Sequence, residues 1–213
     1  GVLTRFLFNV YGDKLCLIEK DKRCMSILKS SFSCLEIKNV DFLNLSWDKI
    51  KGNKLFLVGN FPYNISSQIV FKAMEEKDRV RCVVGMFQKE LAERLAAAPG
   101  SKKYGVISVF LQAYYNVEIL FDVSPDKFAP PPKVWSSVIR AERTNTQSLA
   151  CDENTFKKVV KGAFSQRRKK LSNSIRSFFE LIPADMPFKD MRAEQLSVDD
   201  FVSLTQWIEK QAN

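Results

Sequence analysis

The stretch that most constrains this chain is the apolar run Leu55-Phe56-Leu57-Val58-Gly59, followed at once by Asn60-Phe61-Pro62-Tyr63-Asn64-Ile65-Ser66-Ser67. The length and composition of the run predict a buried strand, and Gly59 with Pro62 predicts that it stops abruptly. Residues 60–67 then form a rigid loop at the carboxyl end of a strand, which is where open α/β sheets bind ligands. Pro62 fixes its own φ and pushes Phe61 into an extended conformation, so the Asn60 amide oxygen and the Phe61 carbonyl can converge on one point, with the Tyr63 ring beside it. Two acceptors and an aromatic plate suit an exocyclic amine on a nucleobase turned out of its stack. The alternative is a turn in which Asn60 caps a helix and Tyr63 fills core.

Around this loop, strand and helix patterns alternate. Apolar or alternating runs at 15–18, 35–40, 80–87, 117–123 and 134–141 read as strands. Helical patterns occupy 22–29, 65–74, 88–95 and 106–115. This is the order of an α/β fold. Residues 144–152 are polar and without apolar period, so the reading places a domain boundary there. It gives an α/β domain over 1–143 and a small helical domain over 144–213.

Composition narrows the chemistry. The chain has 213 residues and 46% hydrophobic content, enough to bury a core, and no histidine at all. Ser-His-Asp and Cys-His catalysis and the usual His-containing metal sites are therefore excluded, and no metal is expected. Lys and Arg total 33 against 24 Asp and Glu, a formal charge of +9 that favours a polyanionic partner, nucleic acid ahead of membrane. No apolar stretch approaches the ~20 residues that span a bilayer, and the start does not read as a signal peptide, so a cytoplasmic location is expected. Cys16, Cys24, Cys34, Cys82 and Cys151 are odd in number and lack C-x-x-C spacing. They read as buried free thiols in a reducing compartment.

Asn60-Phe61-Pro62-Tyr63 resembles the catalytic motif of amino-methyltransferases, and its extension through Ser67 resembles the RNA adenine N6-dimethyltransferases. Three later stretches resemble the same family in order and spacing: Phe128-Ala129-Pro130-Pro131-Pro132-Lys133-Val134, Phe164-Ser165-Gln166-Arg167-Arg168-Lys169, and Arg192-Ala193-Glu194-Gln195-Leu196-Ser197. The resemblance implies a class I, Rossmann-like methyltransferase domain followed by a small helical domain. It implies transfer of methyl groups from S-adenosylmethionine to adenine N6 in small-subunit ribosomal RNA, with the small ribosomal subunit or its precursor as partner, a monomeric state and a role in ribosome biogenesis.

The resemblance also distributes roles. Asn60, Phe61, Pro62 and Tyr63 are expected at the reacting amine. The stiff run of three prolines can hold Phe128 against the base opposite Tyr63, where a loop anchor that buries Phe128 locally is the alternative. Glu19, at a strand end, is expected on the cofactor's ribose hydroxyls, where an ordinary solvated charge is the alternative. Asp41 is expected on the cofactor's adenine amino group, where a turn cap is the alternative. Asn60 borders both substrates. Gly1 resembles the last residue of the family's glycine-rich loop, which would cradle the methionine portion. The first sheet strand and most of that loop would lie before it, so a chain that begins at Gly1 is expected to bind RNA but transfer methyl groups poorly.

RNA contacts are expected from Lys102 and Lys103 in a polar loop, and from Arg167, Arg168, Lys169 and Lys170 in a run without acidic residues. Either set also reads as a solvated surface. Two rival functions stand beside the main one. One is methylation of a large-subunit ribosomal adenosine or an organellar counterpart, and the other is a non-catalytic RNA-binding assembly factor.

Overall fold

The structure, a computed structural model, describes residues 1–178 and 183–212. Helix α1 (Val2–Tyr11) leads to strand β1 (Cys16–Glu19), helix α2 (Lys22–Ser31) and strand β2 (Glu36–Asn39). Asp21 starts α2 by accepting the Arg23 amide at 2.8 Å, which satisfies one of the donors a helix start leaves open. The two strands pair in parallel, from Cys16 opposite Glu36 to Glu19 opposite Asn39. Leu28, Phe32 and Leu35 form the small apolar cluster of this unit, with Phe8, Leu15, Leu17 and Ile37 against it.

The larger sheet contains β3 (Leu55–Asn60), β4 (Val80–Gln88), β5 (Tyr115–Val123) and β6 (Ser136–Arg143), in the order β3-β4-β6-β5. β3 and β4 are parallel, while β6 runs antiparallel to both β4 and β5. Asn60 pairs with Met86 and Ser136 with Gln88, so the ends of β3 and β4 and the start of β6 gather at one end of the sheet. Helices α3 (Ser66–Glu75), α4 (Lys89–Leu95) and α5 (Val106–Gln112) join these strands. Then come α6 (Glu153–Ser165), the short α7 (Leu171–Ser174) and α8 (Val198–Ala212).

Val80, Val83, Phe87, Tyr115, Ile139 and Ala141 bury against α3, α4 and α5 in a core that continues into Phe156, Val159, Leu171, Phe201 and Leu204. No break in that core falls at residues 144–152. Tyr115 also donates its hydroxyl to the Val80 carbonyl at 2.9 Å, which satisfies a polar group that burial would otherwise strand.

Several expectations change. The sheet is divided between a two-stranded and a four-stranded part, and β1 and β3 each carry an edge with no strand partner among the described residues. Gly59 does not stop β3; it lies within it. β3 is not buried throughout, since Phe56 is 70% and Val58 37% exposed. The helical run at 106–115 ends at Gln112, because Tyr115 is drawn into β5. Finally, only Cys82 of the five free thiols is buried; Cys24 and Cys34 are exposed, one on the outer side of α2 and one just after it.

Candidate active site

At the gathered strand ends, Asn60, Phe61, Pro62, Tyr63, Phe128, Pro130 and Pro132 line an open pocket of about 300 Å³. That is near the lower end of the ~300–1,000 Å³ typical of small-ligand sites. Phe61 anchors it from beneath. Its ring is buried and lies 5.3 Å from the Phe87 ring, and a Cβ on Gly59 or Gly85 would come within 2.6 Å or 2.2 Å of it. Both glycines are therefore explained by close approach: the strands must lack side chains where the ring lies. With its ring held below, the backbone of residues 60–62 is fixed at the sheet end.

Tyr63 is held as well. Its hydroxyl lies 2.6 Å from the Ser136 hydroxyl at the start of β6, and Ser136 is fully buried. The loop closes when the Ser66 hydroxyl donates to the Pro62 carbonyl at 2.8 Å. Asn60 is exposed, and its amide has no hydrogen-bond partner among the described residues. The half-buried Phe128 reaches the same pocket from the proline-rich segment, as do Pro130 and Pro132. Asn60, Phe61, Pro62 and Tyr63, expected together in one loop, and Phe128, expected opposite Tyr63 from a distant segment, line one pocket, and the Asn60 amide does not act as the helix cap that was its alternative.

Glu19 and Asp41 sit at the carboxyl ends of the adjacent parallel strands β1 and β2. One Glu19 oxygen accepts the Asp21 amide at 2.8 Å, and the other has no partner among the described residues. The strand ends are tied together by the Asn39 side chain, which donates to the Glu19 carbonyl at 2.9 Å. Asp41 is more occupied: Lys20 reaches one oxygen at 2.7 Å and the Leu43 amide the other at 3.0 Å. These donors, Lys20 first, hold its carboxyl below the usual range. Asp41 is thus the turn cap that was its alternative, with lone pairs left for a further donor. The unclaimed Glu19 oxygen and the ionised Asp41 suit the hydroxyl and amino donors of a nucleoside. Gly1 precedes α1, its carbonyl accepting the Arg5 amide at 3.0 Å.

The basic residues divide in two. The Arg167 guanidinium is engaged by the fold: it pairs with Glu194 at 2.9 Å, donates to the Tyr104 carbonyl at 2.9 Å and also donates to the Lys102 carbonyl. Lys103 pairs with Glu93 at 2.5 Å and Lys170 with Asp190 at 2.8 Å. Arg168, Lys169 and Lys170 are exposed in the turn between α6 and α7. The Arg167 clamp brings that turn beside the Lys102-Lys103 loop, 65 positions away in sequence.

Residues 1–210 match the family model described as ribosomal RNA adenine dimethylase. This chain belongs to that family. It is 49% identical over 219 residues to ribosomal RNA small subunit methyltransferase A of Bacteroides thetaiotaomicron, covering 99% of this chain and 80% of that protein. The protein of the same name from Parabacteroides distasonis is 47% identical, with 100% and 82% covered. The fold is similar to the crystal structure of a dimethyladenosine transferase from Plasmodium falciparum, with a TM-score of 0.79, 24% identity and 100% and 87% of the chains covered. It is also similar to that of the 23S rRNA methyltransferase ErmE, with a TM-score of 0.71, 18% identity and 98% and 87% covered. A Rossmann-like α/β methyltransferase architecture is thus common to the family member and its structural neighbours.

Sequence reasoning missed Ser136, Gly85 and Phe87 as parts of the site. Ser136 lies 73 positions from Tyr63, and a buried serine at a strand start carries no local signal of its partner. Among the described residues, no group of three or more Cys, Asp or Glu could hold a metal, and no helix is long and apolar enough to cross a membrane.

Proposed function

We propose that this chain dimethylates N6 of adenosines in small-subunit ribosomal RNA, using S-adenosylmethionine, as part of ribosome biogenesis. The observation that carries this reading is the unclaimed Asn60 amide at the mouth of a pocket bordered by Tyr63 and Phe128. S-adenosylmethionine, when bound, supplies a methyl group already activated by its sulfonium. Glu19 would hold its ribose hydroxyls and Asp41 its adenine amino group, with the start of α1 at Gly1 toward the methionine portion.

The protein's own task is positioning. The N6 lone pair of adenine is delocalised into the ring and is a weak nucleophile. Asn60 Oδ1 and the Phe61 carbonyl accept its two hydrogens, which favours a tetrahedral nitrogen and the positive charge that develops on attack. Tyr63 and Phe128 cover the two faces of the base, keeping N6 in line with the methyl. After transfer, a proton leaves to water, so no strong base is required. The singly methylated nitrogen retains one hydrogen, and one of the two acceptors is sufficient to orient it for the second transfer.

Lys102, Lys103, Arg168, Lys169 and Lys170 make the phosphate contacts in this reading, while Arg167 holds their two segments together. The protein acts as a monomer in the cytoplasm. The test is mass spectrometry of nucleosides from unmodified small-subunit particles incubated with the intact protein and S-adenosylmethionine. Large-subunit RNA is the comparison arm. Dimethylated adenosine confined to small-subunit RNA is the expected result. Methyl groups on another nucleoside, or none on adenosine, would overturn the reading.

A further inference from the structure

Trp135 is a large ring with no role in the chemistry above, and it is 50% exposed. In sequence it falls between a residue that lines the pocket and one that holds it. Pro132, three residues earlier, lines that pocket, and Ser136, the next residue, holds the Tyr63 hydroxyl. The Trp135 carbonyl accepts the Lys89 amide at the start of α4 at 2.9 Å, so the backbone beneath the ring is fixed. The Lys89 ammonium lies 5.7 Å from the centre of the indole ring and is itself paired with Asp122 on β5. Asp122 in turn accepts the Ser137 hydroxyl at 2.6 Å. The indole is therefore buttressed by a tethered cation and remains half open to solvent. Lys133 and Val134, just before it, are also exposed.

We propose that Trp135 is a stacking platform for the nucleobase immediately next to the target adenosine, with Lys89 and Lys133 beside the adjoining phosphates. This rests on the proposed function and specifies the substrate as an RNA strand unstacked on one side of the reacting base. Two features favour a nucleic acid over an apolar protein surface here. The Lys89 ammonium lies over the ring in a chain of net charge +9, and Trp135 falls in sequence between Pro132, which lines the pocket, and Ser136, which holds Tyr63. An aromatic face accepts any of the four bases, so the subsite adds affinity and register with little sequence preference.

The experiment measures binding of end-labelled, single-stranded RNA containing one adenosine to the intact protein by fluorescence anisotropy, without cofactor. RNAs with an abasic nucleotide on either side of the adenosine are compared. Trp135→Ala is expected to weaken binding of the complete RNA on the order of 10- to 100-fold, the range for loss of one base-aromatic stack. Trp135→Phe should retain most of the affinity and controls for folding. Wild type should lose a similar factor when one of the two flanking nucleotides is abasic, whereas Trp135→Ala should not distinguish that RNA from the complete one. Unchanged binding by Trp135→Ala, or undiminished discrimination against the abasic RNA, would overturn the proposal. Single-turnover methylation of unmodified small-subunit particles, run beside the binding assay, separates the two levels of inference. Methylation of the particles by wild type without flank discrimination in binding removes the platform alone, and flank discrimination in binding without any adenosine methylation in the particles removes the proposed chemistry alone.

Discussion

The two ends of the site are built differently. The base pocket stands on the main core: Phe61 is clamped between Gly59, Gly85 and Phe87, and Tyr63 is tied to a fully buried serine. The Glu19 and Asp41 end stands on two four-residue strands and a cluster of three buried side chains, and α1 beside it buries no residue. Its carboxylates are oriented by short-range and exposed partners, Asp21, Lys20 and Leu43. The difference leads to an expectation: the pocket at 60–63 is shaped by packing before any ligand arrives, whereas the carboxylate end should gain order when S-adenosylmethionine binds.

Asn60→Ala should have the largest effect on this contrast. Removing a preorganised acceptor aimed at developing charge costs on the order of 10²–10³ in rate, so single-turnover methylation at saturating RNA should fall by that factor while RNA affinity holds. An unchanged rate would remove Asn60 from the chemistry. Gly85→Ala attacks the same pocket from beneath. Its Cβ would lie 2.2 Å from the Phe61 ring and 3.0 Å from the Phe87 ring, so both must shift. The urea midpoint should drop by the equivalent of about 1–3 kcal/mol, the usual range for an overpacked core. Wild-type stability for that variant would mean that the ring is not clamped.

Glu19→Ala and Asp41→Ala test the other end. Each should weaken S-adenosylmethionine binding and leave RNA binding nearly intact, as followed by calorimetry with each ligand. A fall in RNA affinity with cofactor affinity retained would reverse the two ends. The smallest effect is expected where two groups act as one. Tyr63→Phe and Ser136→Ala each remove the same hydroxyl contact, worth roughly 1 kcal/mol. The double variant should therefore lose little more single-turnover rate than either alone. Additive losses would show that Ser136 does not hold Tyr63.

What could be read from the sequence follows the reach of each interaction. The loop at 60–63 was legible because Pro62 and the apolar run act within a few residues, and the strand and helix alternation was legible for the same reason. The jobs of Gly59 and Gly85 were not, since both depend on where the Phe61 ring lands after β3 and β4 pair. Arg167 read as part of a basic run, and only the folded chain brings Glu194 and the Tyr104 carbonyl to its guanidinium. Its neighbours Arg168 and Lys169 have the same sequence character and different surroundings. For Asp41 the sequence offered two alternatives, and local geometry establishes the cap directly.

Hydrogen exchange, with and without S-adenosylmethionine, tests the contrast between the two ends most directly. Without ligand, amides of 83–87 in β4 and 138–141 in β6 should exchange slowest, and those of β1, β2 and 41–43 distinctly faster. On addition of S-adenosylmethionine, protection should rise at β1, β2 and 41–43 and change little in β4 and β6. Equal protection of the two sheets before ligand, or ligand protection confined to β4 and β6, would contradict the account.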